Sequence, residues 1–213
     1  MKIVRLELET NDLLATQQFY ARQLLLPMVS YTYWSATFRV GWSELVFRQT
    51  DKPVQPYHFA FNIPLYALEQ YQNSFQLPYI DTSPSHCKVA YFPNWKARAA
   101  YFFDNNGNLV EFIERQDAGF AEPADDIFQG ISEIGLVTND VPATTRHLTQ
   151  RFGIGQFIKS QPLPDFNAIG DDYGLFILAK TGRNWRFTDV PAVAQQCKVV
   201  FQTDDTAIHS LRI

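Results

Sequence analysis

Residues 101–115 read YFFDNNGNLVEFIER. They describe an aromatic strand, a tight turn across Asp104, Asn105, Asn106, Gly107 and Asn108, and a return strand whose apolar run is interrupted by one carboxylate, Glu111. Asn and Gly between two apolar stretches are turn chemistry, because both tolerate positive φ. A carboxylate inside the return strand is costly unless a cation or a hydrogen-bond donor faces it. What stands opposite Glu111 is the central question posed by the sequence.

Upstream of that stretch, residues 58–63 alternate as a strand, residues 65–75 follow Pro64 as a helix, and strands are expected at 88–92, 99–103 and 108–115. The order is one strand, one helix and three strands. It is already present in the N-terminal part, where residues 3–9 set Val4, Leu6 and Leu8 against Arg5, Glu7 and Glu9, as in a strand with one apolar and one charged face. Thr10, Asn11 and Asp12 then cap a helix running from 13 to about 26, Pro27 ends it, and strands follow at 28–33, 36–40 and 44–49. A third copy comes after a polar, acidic connector at 116–126: strand 131–138, helix 141–152 and strands 156–159, 166–169 and 175–180. One more strand, 198–202, and an apolar-spaced tail, 207–213, read as a fourth copy that stops after its first strand and part of a helix.

The seams agree as well: Glu9-Thr10-Asn11-Asp12, Val137-Thr138-Asn139-Asp140 and Gln202-Thr203-Asp204-Asp205. Internal repetition is the strongest architectural signal in the chain. It predicts an α+β fold of tandem βαβββ modules, with residues 1–118 a pair and residues 127–213 the third module plus the first strand of a fourth. A truncated copy leaves an open sheet edge, which a homodimer would cover.

Composition narrows the function classes. With 213 residues, 46% hydrophobic and 15% aromatic, the chain can bury a full core. Its apolar runs fall far short of the roughly 20 residues of a membrane span, and the charged opening MKIVRLELET is unlike a signal peptide. The expectation is a cytosolic chain with no membrane partner. A net charge of -4, with 18 basic residues scattered along the chain, offers no footprint for nucleic acid. Cys87 and Cys197 have no metal-ligand spacing and read as buried free thiols. There is no Gly-rich phosphate loop and no nucleophile elbow, and His147 and His209 fall in expected helices. A small-molecule partner is the best remaining class.

The repeat resembles the vicinal oxygen chelate superfamily, which includes glyoxalases, extradiol dioxygenases and bleomycin and fosfomycin resistance proteins. The resemblance runs from residue 3 to about 202. Asn11-Asp12-Leu13 with Phe19-Tyr20 is similar to the family's first loop and helix, and Tyr57-His58-Phe59-Ala60-Phe61 to its fifth strand. Residues 103–112 resemble its Asp-Pro-x-Gly-Asn turn and last ligand strand, with Asn105 in the place of Pro. Gly182-Arg183-Asn184-Trp185 is similar to uncharacterised bacterial members.

The resemblance implies a half-barrel built from two modules, with one divalent metal, zinc, nickel, manganese or iron, held by one residue from each of four strands. Those positions fall on Arg5, Glu44, His58 and Glu111. Imidazole and carboxylate are competent ligands. Arginine is not, since its guanidinium stays protonated and has no lone pair to donate. Glu7 lies on the same expected strand face as Arg5.

Two partners would satisfy Glu111: an arginine fork from Arg5 shared with Glu44, or a metal. In the first case Arg5, Glu7, Trp42 and Tyr101 bind a ligand without metal, and the aromatic residues Tyr31, Tyr33, Trp34, Phe38, Tyr91, Phe92, Trp95 and Phe103 supply an apolar pocket. In the second, His58, Glu44 and Glu111 are ligands, Glu111 and Glu44 serve catalysis, and lyase or isomerase chemistry on vicinal oxygens is expected. Ring cleavage fits less well, since dioxygenases of this kind use two histidines. In the third module Glu133 holds the first-strand position, but Leu175 or Phe176 stands where a carboxylate is needed, so that module is assigned to assembly.

Overall fold

The computed structural model describes residues 1–118, 127–204 and 206–213; most of the expected connector at 116–126, and Asp205 of the third seam, lie outside the described residues. The first copy comprises β1 (Lys2–Thr10), α1 (Leu13–Gln18) extended by a π turn over Phe19–Gln23, β2 (Met28–Tyr31), β3 (Ser35–Val40) and β4 (Ser43–Gln49). The second comprises β5 (His58–Asn62), α2 (Leu68–Phe75), β6 (Ala90–Phe92), β7 (Ala97–Phe103) and β8 (Leu109–Arg115). The third comprises β9 (Gly130–Thr138), α3 (Val141–Phe152), β10 (Phe166–Asp171) and β11 (Gly174–Lys180), and the chain closes with β12 (Lys198–Gln202) and β13 (Ile208–Arg212). All thirteen strands belong to one mixed sheet.

The seams repeat in three dimensions. Asp12 caps α1 by accepting from the Ala15 amide at 2.8 Å, and Asp140 caps α3 by accepting from the Ala143 amide at 2.9 Å. The hydroxyls of Thr10 and Thr16 meet at 3.0 Å, and those of Thr138 and Thr144 at 2.8 Å. Two elements differ from expectation. Residues 156–159 form only an isolated bridge, Gln156 to Ile169, because the Gln156 side chain folds onto Asn167 and the Ala168 carbonyl. The tail is a strand, so His209 lies in a hairpin with β12 and not in a helix.

Strand pairing corrects the expected partnership of the modules. β5 is parallel to β8 and antiparallel to β9, and β9 is parallel to β11, so the second module joins the third. β1 is parallel to β4 and antiparallel to β12, so the first module joins the strand that follows the third. The two half-sheets meet at a single rung, Ile3 with Ile131. Ser43 bridges the point where β1 and β9 part, donating to the Ile3 carbonyl at 2.6 Å and accepting from the Ile131 amide at 2.9 Å. The edge of the incomplete copy is covered by β13 of the same chain.

Bulges decide which side chains face which way. Ile131, Ile134 and Leu136 are all in the main core, which plain alternation forbids. A register shift resolves this: Ala60 pairs with Glu133, but Phe61 pairs with Ile131, leaving Ser132 as the extra residue. Glu133 is thereby turned to the opposite side from Ile131. β1 has the same break between Ile3 and Arg5, and Ile3, not the expected Val4, shares the core with Leu6 and Leu8.

The helix-facing core is dense in aromatics, among them Tyr20, Phe38, Phe47, Phe61, Phe102 and Phe112. The opposite face of the second and third modules carries small residues, Ala60, Ala97, Ala99, Ala168 and Ala179, which leave room for a cavity. Cys197 is buried as expected, but Cys87 is exposed. No helix among the described residues is long and apolar enough to cross a membrane.

Candidate metal centre

The turn that opens the sequence reading fixes one wall of the site. Asp104 is buried and accepts from the Asn106 and Asn108 amides at 2.8 and 2.9 Å, from the Asn108 side chain at 2.8 Å and from the Tyr20 hydroxyl at 2.6 Å. Gly107 takes φ +76°, a conformation that favours glycine. The turn thus sets β7 against β8 with Tyr101 directly opposite Glu111.

Glu111, Ala60 and Glu133 lie in one row across β8, β5 and β9. With strands roughly 4.8 Å apart, the two glutamates rise on either side of a methyl group, and their carboxylates converge above it. His58, two residues before Ala60 on the same face, completes the cluster: one donor atom from each of His58, Glu111 and Glu133 lies within 4.8 Å of the others. All three are buried.

His58 Nδ1 lies 3.1 Å from the Leu109 carbonyl, which can only accept, so Nδ1 carries the proton and Nε2 presents its lone pair to the cluster. Nε2 is 3.7 Å from Glu111 Oε2, too far for a hydrogen bond. Burial lowers the imidazole pKa to about 4, against the Leu109 contact, so the ring is neutral at neutral pH. Burial also raises Glu111 well above the usual carboxylate range. Repulsion by Glu133 adds to this, while Arg115, Tyr101 and Arg186 oppose it.

Glu133 is raised by burial too, against its ion pair with Arg115. Arg115 itself is fully buried between the rings of Trp95 and Phe157, at 5.6 and 5.9 Å, and its Nε lies 3.3 Å from the Ser132 hydroxyl. Two buried carboxylates thus share one guanidinium. A neutral imidazole with its lone pair inward and a carboxyl beside it that has no close ion pair with a guanidinium form a donor set that fits a divalent cation.

A cavity of about 600 Å³ opens above the cluster. Its rings are Phe92, Trp95, Tyr101, Phe166, Trp185 and Phe187. Trp185 lies 5.0 Å from the His58 ring, and Gly135 makes room for it, since a Cβ there would approach the indole to 2.6 Å.

The structure places His58, Glu111, Tyr101, Phe92 and Trp95 at this cavity and leaves Arg5, Glu7, Glu44 and Trp42 elsewhere. Arg5 is paired with Glu44 and Glu7, Arg39 with Glu44, and Arg48 and Lys198 with Glu7. Against burial, Arg48 and Arg5 hold Glu7 at about 2. The reason is the pairing of modules, which puts β12, not β5, beside β1. Trp42 stacks near Lys2 and Tyr173 instead.

Tyr31, Tyr33, Trp34 and Tyr91 are exposed, and Phe38 is packed on Tyr20 in the helix-side core. Glu133, which belongs to the module assigned to assembly, is the third residue of the cluster. The signal that could have found it is the broken alternation of Ile131, Glu133 and Ile134, which marks a bulge.

No protein-family model matches this sequence, and no curated protein matches it. Among solved structures, a Bacillus subtilis subsp. subtilis str. 168 protein provisionally described as a dioxygenase aligns over 100% of this chain and 84% of its own, with a TM-score of 0.64 at 16% identity. The fold is that of the vicinal oxygen chelate superfamily. Shorter proteins align with about half of this chain. Lactoylglutathione lyase from Agrobacterium tumefaciens covers 55% of it and 96% of its own length, with a TM-score of 0.45 at 23% identity. A glyoxalase/bleomycin resistance protein/dioxygenase from Alicyclobacillus acidocaldarius covers 55% and 92%, with a TM-score of 0.43 at 18% identity.

Proposed function

We propose that this chain holds a divalent metal on His58, Glu111 and Glu133 and acts as a lyase or isomerase on a small molecule with vicinal oxygens. The observation that carries the reading is the fixed tautomer of His58, whose free Nε2 faces two buried carboxylates served by one guanidinium. A backbone carbonyl on the far nitrogen is the usual support of a metal-ligating histidine.

Bound there, the cation supplies Lewis-acid polarisation of the substrate oxygens and stabilises the oxyanion left by proton removal. The chain's own residues do the rest. Arg115 fixes Glu133 from behind. Glu111, which unlike Glu133 has no ion pair with Arg115, takes and returns the substrate proton at its carboxylate oxygen. Tyr101 orients that carboxylate, and the aromatic wall keeps water out. One imidazole with two carboxylates favours proton transfer over ring cleavage, which uses two imidazoles and one carboxylate.

A metal-free binding protein is the second reading. It is favoured by Arg115, which already neutralises Glu133, and by Leu175, which pairs with Glu133 on β11 where a fourth donor would stand. Elemental analysis with thermal shifts under manganese, nickel and zinc separates the two. The expected result is one equivalent of metal per chain, lost in His58→Ala and Glu111→Ala and kept in Glu44→Ala. No metal and no shift in any state would end the metal reading and leave the binding one. Pairing of a second copy along β13 is the corresponding proposal for the sheet edge, tested by light scattering.

A further inference from the structure

Six consecutive residues, 183–188, line the mouth of the cavity, and two of them are arginines. Their situations differ. Arg183 is paired with Asp165 at 3.1 Å and lies over the Phe166 ring. Arg186 makes no ion pair within 4 Å among the described residues, although its charge reaches Glu111 and its guanidinium is held 5.0 Å from the centres of both Phe92 and Phe187. Those rings belong to the cavity wall, and Phe187 packs on Tyr101 at 5.4 Å, one ring away from Glu111.

The segment presenting Arg186 is constrained. The Trp185 amide donates to the Val190 carbonyl and the Thr188 amide to the Trp185 carbonyl, while Phe187 takes φ +62°, which a bulky side chain rarely adopts. Backbone strain of this kind persists where the surroundings fix it and is concentrated at ligand-binding segments. A preorganised guanidinium with no close ion pair among the described residues, at the rim of an aromatic cavity, is a receptor for a planar anion.

We propose that the cavity takes an aromatic carboxylate, with its ring among Phe92, Tyr101, Trp185 and Phe187 and its anionic group on Arg186. This rests on the reading of the cavity as a small-molecule site and names the class of molecule it admits. The charge pattern agrees: Arg115 offsets Glu133 inside the cavity and Arg186 stands at its mouth, so an incoming anion meets a cation first although the chain is acidic overall.

The test is calorimetric titration with 2-naphthoate and its neutral isostere 2-naphthamide, on EDTA-treated and manganese-loaded protein. Wild type should bind the naphthoate about tenfold more tightly than the amide in both metal states. In Arg186→Met, which keeps the apolar stem over the rings, the ratio should fall to about one with affinity for the amide unchanged. Arg186→Lys should keep part of the preference. Equal affinities in wild type, no binding of either probe, or a preference that survives Arg186→Met would overturn the proposal. A preference that needs manganese and survives Arg186→Met would overturn the Arg186 assignment while supporting the metal centre. A preference seen with EDTA and lost in Arg186→Met supports Arg186 even if no metal binds.

Discussion

At the scale of single residues, the cluster is defined by protons as much as by positions. Burial moves His58 from 6.5 to about 4, so between those values the unfolded chain binds a proton that the folded chain does not. That contribution to stability is full above pH 6.5 and is lost as the pH falls toward 4. Glu111 has the opposite sign: its raised value makes the folded chain hold a proton that the unfolded chain releases above 4.5, so stability falls as the pH rises from there. In metal-free wild type the two slopes oppose each other. Glu111→Gln removes one falling slope and leaves that of Glu133, also raised by burial, so stability should rise more steeply from pH 4 to 6.5 in the variant than in wild type, as read by urea denaturation. A profile unchanged by the substitution would contradict the burial argument.

Arg115→Met should cost metal-free protein about 4 kcal/mol, because Glu133 is left buried without its cation, and manganese should restore much of the loss. His58 and Glu111 were legible in the sequence, since each interrupts or borders an apolar run. Arg115 was not, because an arginine ending a strand reads as a solvated terminus.

At the scale of elements, Ala60 spaces the two carboxylates. Ala60→Leu should cost stability about 2 kcal/mol by overpacking while abolishing the manganese-induced thermal shift. A preserved shift would mean that the glutamates do not converge over that methyl group. The turn at the end of β7 is the other fixed element. Asp104→Ala leaves the Tyr20 hydroxyl and the Asn108 amides without their acceptor, and a loss of about 3 kcal/mol is expected in equilibrium unfolding.

The helix caps, the turn and most strands could be read from local chemistry. The bulges in β1 and β9 could not be read from the expected two-residue alternation: the first puts Ile3 in the core in place of Val4, and the second turns Glu133 away from Ile131. Glu133 was therefore read as a first-strand position of the third module, without its meeting with His58 and Glu111.

At the scale of the whole molecule, repetition was visible but the choice of partners was not. Any copy can pair with any other by the same alternation, and the selection rests on long-range contacts that no local pattern encodes. Ser43 marks the junction of the two half-sheets. Ser43→Ala leaves the Ile131 amide and the Ile3 carbonyl without a partner there and should lower stability by about 2 kcal/mol in urea denaturation. Ser83→Ala, which removes only a solvent-exposed contact with the Ser85 hydroxyl, should have no measurable effect.

The pairing of β1 with β12 also has a meaning in time. A chain emerging from the ribosome makes β1 first and its antiparallel neighbour almost last, while β5 must wait for β9 before His58 and Glu111 acquire Glu133. Each half-sheet is closed by a segment made after part of the other half. The early strands spend synthesis with open edges, and such non-local closure slows folding. The N-terminal half-sheet is closed only when β12 reaches β1, after β5 and β9 have both been made.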